Sequence, residues 1–166
     1  MRYVWSMLAT LAWGLWFGGM AALFLFVSFL FINDRATAIV AAPKMFLAFE
    51  RYQFIVATLA IVSAALWRLV DKRPAITVVF VLFALSAVGT IASAQFIRAP
   101  MEELRMQGES SGPQFQRLHK ASERLYSAQA VLLLVAGIIL PSALRTPARP
   151  QLQTAPESES LTAPPV

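Results

Sequence analysis

Four long stretches of the chain are almost free of charge, and the charged residues crowd between them. Residues 3–32 carry no charge at all, and neither do residues 75–97 or 125–140. Residues 52–69 are interrupted only by Arg68 near their end. About 20 apolar residues span a bilayer core of roughly 30 Å as a helix. The pattern therefore predicts an all-α fold, an integral membrane four-helix bundle, with spans at 3–32, 52–69, 75–97 and 125–140. Residues 1–140 form the four-span transmembrane domain in this reading. Residues 141–166 hold six of the ten prolines with Ser, Thr and Gln, and such a composition predicts a disordered Pro-rich C-terminal tail.

Punctuation between the runs refines the boundaries. Arg2 resembles the head of a signal peptide, but the apolar stretch is too long and no small-residue cleavage site follows, so the first span is expected to stay. The second helix could begin as early as Pro43. Asp71-Lys72-Arg73-Pro74 is a tight connection, and Pro74 suits the first turn of the third helix. Residues 99–108 read as a short interfacial helix with Pro100 at its start, Glu102 and Glu103 in its first turn and Gly108 at its end. Ser110 or Ser111 is expected to cap the fourth long helix, Pro113 to open it and Pro141 to end it. Tyr3, Trp5 and Trp67 would mark one membrane face, and Tyr52 and Tyr126 the other, as interfacial aromatic belts do.

Composition strengthens the membrane reading. The chain is 58% hydrophobic and 14% charged, with mean hydropathy +0.62, against about a quarter charged for ordinary soluble domains. A soluble enzyme of 166 residues could not hide that surface. No cysteine is present and His119 is the single histidine, which removes disulfides, thiolate catalysis, Cys-based zinc sites and bis-His haem. The net charge of +5 is carried by residues flanking apolar runs, so it points to lipid headgroups rather than nucleic acid. Arg2, Arg68, Lys72 and Arg73 gather at the terminal face, and on that ground both termini are expected in the cytoplasm. Arg35, Lys44, Arg51, Arg98, Arg105, Arg117, Lys120 and Arg124 lie on the opposite loops.

The most informative stretch is residues 115–126. At helical spacing Phe115, Leu118, His119, Ser122, Tyr126 and Gln129 share one face, and Arg117, Lys120 and Arg124 share the opposite one. The reading turns His119 inward and presents the basic stripe to lipid phosphates. Topology brings the start of span two, the end of span three and the start of span four to one membrane face. Glu50, Arg51, Tyr52, Gln95, Arg98, His119, Ser122 and Tyr126 would then form a candidate polar cluster there. It would tie helix ends together, or bind a ligand or relay a proton around His119. No catalytic set, no metal ligand set and no cofactor are expected. Gln95 and Gln129 are the most polar side chains near the spans and suit interhelical hydrogen bonds. Gly14 and Gly18 form a GxxxG pair, and Gly89 and Ser93 part of a small-residue stripe, both expected to serve helix packing within the chain or a homo-oligomer.

Three segments resemble the transmembrane protein 205-like family, a four-helix membrane family. They are Trp13-Gly14 leading to Phe31, the stretch from Ala38 through Pro43 and Phe46 to Arg51-Tyr52, and Phe115-x-x-Leu118-His119-x-x-Ser122-x-x-Leu125. Pro100 followed by Leu104-Arg105 resembles the family's P-x-x-x-L-R. The resemblance covers roughly residues 8–141. It departs at Val27-Ser28-Phe29-Leu30-Phe31, where the family often has Ala-Pro before its Leu-Phe. The resemblance implies a four-span fold and a membrane location, and no reaction. The leading expectation is a non-enzymatic multi-pass protein, in a bacterial inner or plasma membrane, whose polar cluster binds, senses or passes a small solute. The alternatives are a membrane scaffold acting through Gly14 and Gly18 and, more remotely, a copper-resistance-type permease.

Overall fold

The computed structural model describes residues 2–145. Helix α1 is Arg2–Asn33, α2 Arg35–Val70, α3 Pro74–Ala92, α4 Ala99–Met106 and α5 Pro113–Leu144, with a π-helical turn, Ser93–Arg98, joining α3 to α4. Four helical stretches are long and apolar enough to cross a membrane: Arg2–Asn33, Arg35–Val70, Pro74–Met106 and Pro113–Leu144. α1 packs on α2, α2 on α3, α3 on α5, and α5 closes back on α1. Ala9, Ala12 and Trp16 of α1 and Ala57, Ala60 and Ala64 of α2 line the shared core with Phe83, Leu133 and Ala136. Small residues on facing helices let backbones approach where lipid is as apolar as the side chains.

Several boundaries differ from the sequence expectation. α2 begins at Arg35, because Asp34 caps it: the carboxylate accepts the Thr37 N–H at 3.0 Å and the Thr37 hydroxyl at 2.6 Å. A single residue thus separates α1 from α2. Those hydrogen bonds hold the Asp34 carboxyl below its ordinary value. Pro43 lies inside α2, and Pro141 inside α5, which continues to Leu144. Each proline removes one ladder bond without ending its helix. The fourth helix is capped by Gly112 rather than Ser110 or Ser111. Residues 141–144, assigned to the tail by the sequence reading, belong to α5, and the remainder of that tail lies outside the described residues. Trp67 is fully buried rather than part of an interfacial belt.

α4 is continuous with α3 rather than separate. Proline lacks an N–H and its ring crowds the carbonyl four residues back, so Pro100 disturbs the ladder at Phe96. Just before it the register widens, with the Ala99 N–H bonding the Ala94 carbonyl, five residues back. α4 closes as expected at Gly108, whose φ of 79° suits glycine. The Gly108 N–H bonds Arg105 O at 3.0 Å and the Glu109 N–H bonds Leu104 O at 2.8 Å, the paired bonds of a Schellman cap.

At the terminal face Asp71 gathers three chain segments. Arg2 Nε lies 3.0 Å and Arg73 Nη2 2.9 Å from Asp71 Oδ2, and Arg73 also donates to the Ala143 and Arg145 carbonyls. The Arg73 hydrogen bond, then the Arg73 and Arg2 charges, hold the Asp71 carboxyl below its ordinary value of 3.8, against a desolvation that raises it. A depressed carboxyl contributes stability above its unfolded pKa and loses it as pH falls through the folded one. Thermal unfolding in detergent is therefore expected to show Asp71→Asn less stable by about 1 kcal/mol at neutral pH. The difference from wild type should begin to narrow as pH falls below about 4, the ordinary carboxyl value, and close only once pH has fallen below the depressed value of the folded protein.

Candidate functional site

The opposite end of the bundle carries an ion pair in apolar surroundings. Glu50 lies on α2 and is only 5% exposed. Arg98, last residue of the π turn, reaches it, with Nε 2.5 Å from Glu50 Oε2. The Arg98 side chain is 41% exposed, so the guanidinium faces outward while the carboxylate is enclosed. The π turn contributes directly, because its extra residue rotates the chain ahead of Pro100. π turns often mark functional positions in helices.

Tyr126 of α5 completes the arrangement. Its ring packs against Phe46 of α2 at 5.8 Å, and its hydroxyl lies beside Ser93 in the field of Glu50 and Arg98. One turn deeper than Glu50 is Gln53, 1% exposed, whose Nε2 has no hydrogen-bond partner. One turn deeper than Tyr126 is Gln129, also 1% exposed, which donates to Ser86 O at 2.8 Å and to Thr90 Oγ1 at 3.0 Å. Gly89 faces Gln129 closely: a Cβ there would come within 2.9 Å of Nε2. This is the packing role expected of Gly89, and Ser93 is buried beside it.

The remaining candidates are distributed differently. His119 is not turned inward: its side chain is 54% exposed, and Nε2 pairs with Glu123 Oε1 at 3.2 Å one turn on. The 40° offset between positions i and i+4 leaves both on one face, so His119 is drawn toward Glu123 and away from Glu50. Arg51 and Gln95 are exposed and Ser122 is half-buried. Tyr52 turns to α1, donating to Leu15 O at 2.8 Å and packing on Gly19. Glu50, Arg98 and Tyr126 are thus brought together, and Arg51, Tyr52, Gln95 and His119 are not. Arg117, Lys120 and Arg124 are exposed along α5. Above them α4 is tied to α5 by the Arg105 guanidinium, 5.4 Å over the Phe115 ring.

Gly14 and Gly18 do not pack within the chain, since a Cβ on either would meet nothing within 4 Å. The close approach is made by Gly137 instead. Trp13 lies over it and donates to Leu133 O at 2.7 Å, and a Cβ at Gly137 would overlap the indole. Gly137 escaped the sequence reading, although a lone glycine inside an apolar helix is a usable signal.

Among the described residues no group of three His, Cys, Asp or Glu side chains is placed to hold a metal ion. Comparison of the chain with family models, curated proteins and solved structures found no match.

Two outcomes follow from this geometry. Removing one partner of an enclosed ion pair leaves the other unpaired, whereas replacing both by apolar groups is often neutral. Arg98→Ala is expected to lower stability by about 2 kcal/mol, and Glu50→Met/Arg98→Met to recover most of that loss, read as melting temperatures in one detergent. Gly137→Ala is expected to lower the melting temperature by several degrees and Gly14→Ala to leave it near wild type, since overpacking costs about 1–3 kcal/mol.

Proposed function

We propose that this chain is a non-enzymatic multi-pass membrane protein that binds a small solute at the Glu50–Arg98–Tyr126 cluster. The observation that carries the proposal is a carboxylate enclosed among apolar helices beside an arginine that stays accessible. Ionisable groups at such positions are expensive and ordinarily functional. Arg98 offers an open guanidinium to an anionic or hydrogen-bonding solute, and Glu50 offers a carboxylate released when Arg98 turns outward. The π turn supports this, because it is the joint about which Arg98 would move. His119 has no part in the site on this reading; it belongs to the outer face of α5 with Glu123. Kinship with the transmembrane protein 205-like family is part of the same proposal, supported by four long apolar helices and by the Phe115-to-Ser122 motif. We place both termini in the cytoplasm, on the strength of the basic residues gathered around Asp71.

Thermal unfolding of the purified protein against a panel of carboxylates, phosphates, small amines and amphipathic drugs tests the site. A ligand confined to the folded state adds about 2.7 kcal/mol at 100 times its dissociation constant. One class is expected to stabilise the wild type and His119→Ala alike, and to leave Arg98→Ala and Glu50→Gln unmoved. A ligand response that needs His119 and not Arg98 contradicts the proposal.

A second reading has its own observation. Gly14 and Gly18 lie on an exposed face of α1, next to a shallow apolar groove lined by Met7, Thr10, Leu11, Trp13, Leu15 and Leu144. That is the surface a second copy would use in a scaffold role. It predicts cross-linked dimers in membranes that Gly14→Leu/Gly18→Leu abolishes without loss of folding.

A further inference from the structure

Ser6, Thr10, Thr58, Ser63, Thr90 and Ser127 each turn the hydroxyl back onto a carbonyl of their own helix. This is the usual way to satisfy a hydroxyl inside an apolar helix. Ser86 does not. It is fully buried, midway along the apolar run of α3, and its Oγ has no hydrogen-bond partner. Across the α3–α5 seam, Gln129 spends Nε2 on Ser86 O and Thr90 Oγ1 and leaves Oε1 unpartnered. Two residues joined by a 2.8 Å hydrogen bond thus each carry a free, buried polar atom. Such groups cost free energy unless something bonds them, and in native folds the partner is ordinarily protein or ordered water.

We infer that the α3–α5 seam is a binding site for water, held between Ser86 Oγ and Gln129 Oε1. The chemistry selects the occupant. Oε1 only accepts and a hydroxyl does both, so the ligand must donate, and must accept if Ser86 donates to it. No charged side chain is among Ser86, Thr90 and Gln129, so neither a cation nor an anion finds its counter-charge there. The two helices meet closely here, since a Cβ at Gly89 would come within 2.9 Å of Gln129 Nε2. Thr90 of α3 and Ser93 at the start of the π turn, at helical spacing from Ser86 and both buried, carry the polar lane up to Tyr126, Arg98 and Glu50. Below Ser86 the lane is closed by Phe83, fully buried with Trp16 at 6.5 Å. The lane of buried polar side chains is therefore blind, running from one end of the bundle to its middle and not through it. The inference stands whether or not a solute engages Glu50 and Arg98.

Protein labelled with 15N-glutamine in perdeuterated micelles gives the direct test, with water as the probe. Contacts between water protons and the Gln129 side-chain amide are expected, and they should be lost in Ser86→Ala. The Ser86→Ala melting temperature is expected to fall by about 2–4 °C, because the water loses an anchor. A dry seam predicts the opposite sign, since deleting an unsatisfied hydroxyl relieves the helix. Absence of water contacts at Gln129 overturns the inference whichever way the melting temperature moves.

Discussion

Every backbone N–H and C=O in a hydrocarbon slab must find its partner inside the chain, because lipid supplies none. That constraint decides the architecture of this protein before any side chain is considered. It makes each apolar run a helix and forbids an irregular connection between α1 and α2 inside the slab. It also explains why prolines at positions 43 and 141 are absorbed rather than used as stops: breaking the ladder in an apolar setting frees several backbone groups, and tolerating the proline frees one. At Pro100 the compromise is visible as the π turn, where the ladder changes register to stay bonded.

The same economy governs the side chains. Apolar residues gain nothing by facing each other rather than lipid, so the bundle is held by close approach and by a few polar ties. Gly137 under Trp13 and Gly89 under Gln129 provide the approach. Tyr52 to Leu15 O, Trp13 to Leu133 O and Gln129 to Ser86 O provide ties between helices. The charged groups sit at the two ends and do different work. The Asp71 cluster fastens the N-terminus, the α2–α3 connection and the end of α5 in one knot. The Glu50–Arg98 pair has one enclosed and one accessible member, and the polar lane of α3 and α5 begins there. A knot needs closed valences, whereas a binding site needs a group able to let go, which is why the second cluster carries the functional proposal.

Much of the fold was legible in the sequence because charge-free runs of such length have few other uses. The π turn's neighbourhood, the hairpin at Asp71 and the glycine stop at Gly108 were readable from proline, charge and glycine alone. The start of α2 was missed because an apolar criterion ignores Arg35 to Lys44, although Asp34 and Thr37 form a recognisable cap. The faces were harder. A helix that is apolar all round has no stripe to mark its buried side, so Gly14 and Gly18 could not be told from Gly137 by pattern. His119 was misplaced for another reason: it lies near the polar edge of its face, and an acidic residue four positions on decides which way it leans. That Gln53 and Ser86 carry unpartnered buried polar atoms depends on their neighbours, which no local pattern contains.

The central proposal is topological: the four helices, each long and apolar enough to cross a membrane, would put the Asp34 and Gly108 turns on one membrane face and the Asp71 knot on the other. The absence of cysteine makes this directly measurable. Asn33→Cys, Gly108→Cys and Lys72→Cys, introduced one at a time, would be treated in intact cells with a membrane-impermeant maleimide. The account predicts that Asn33→Cys and Gly108→Cys label alike from outside, and that Lys72→Cys labels only after the membrane is opened. Labelling of Asn33→Cys and Lys72→Cys from the same side would contradict it.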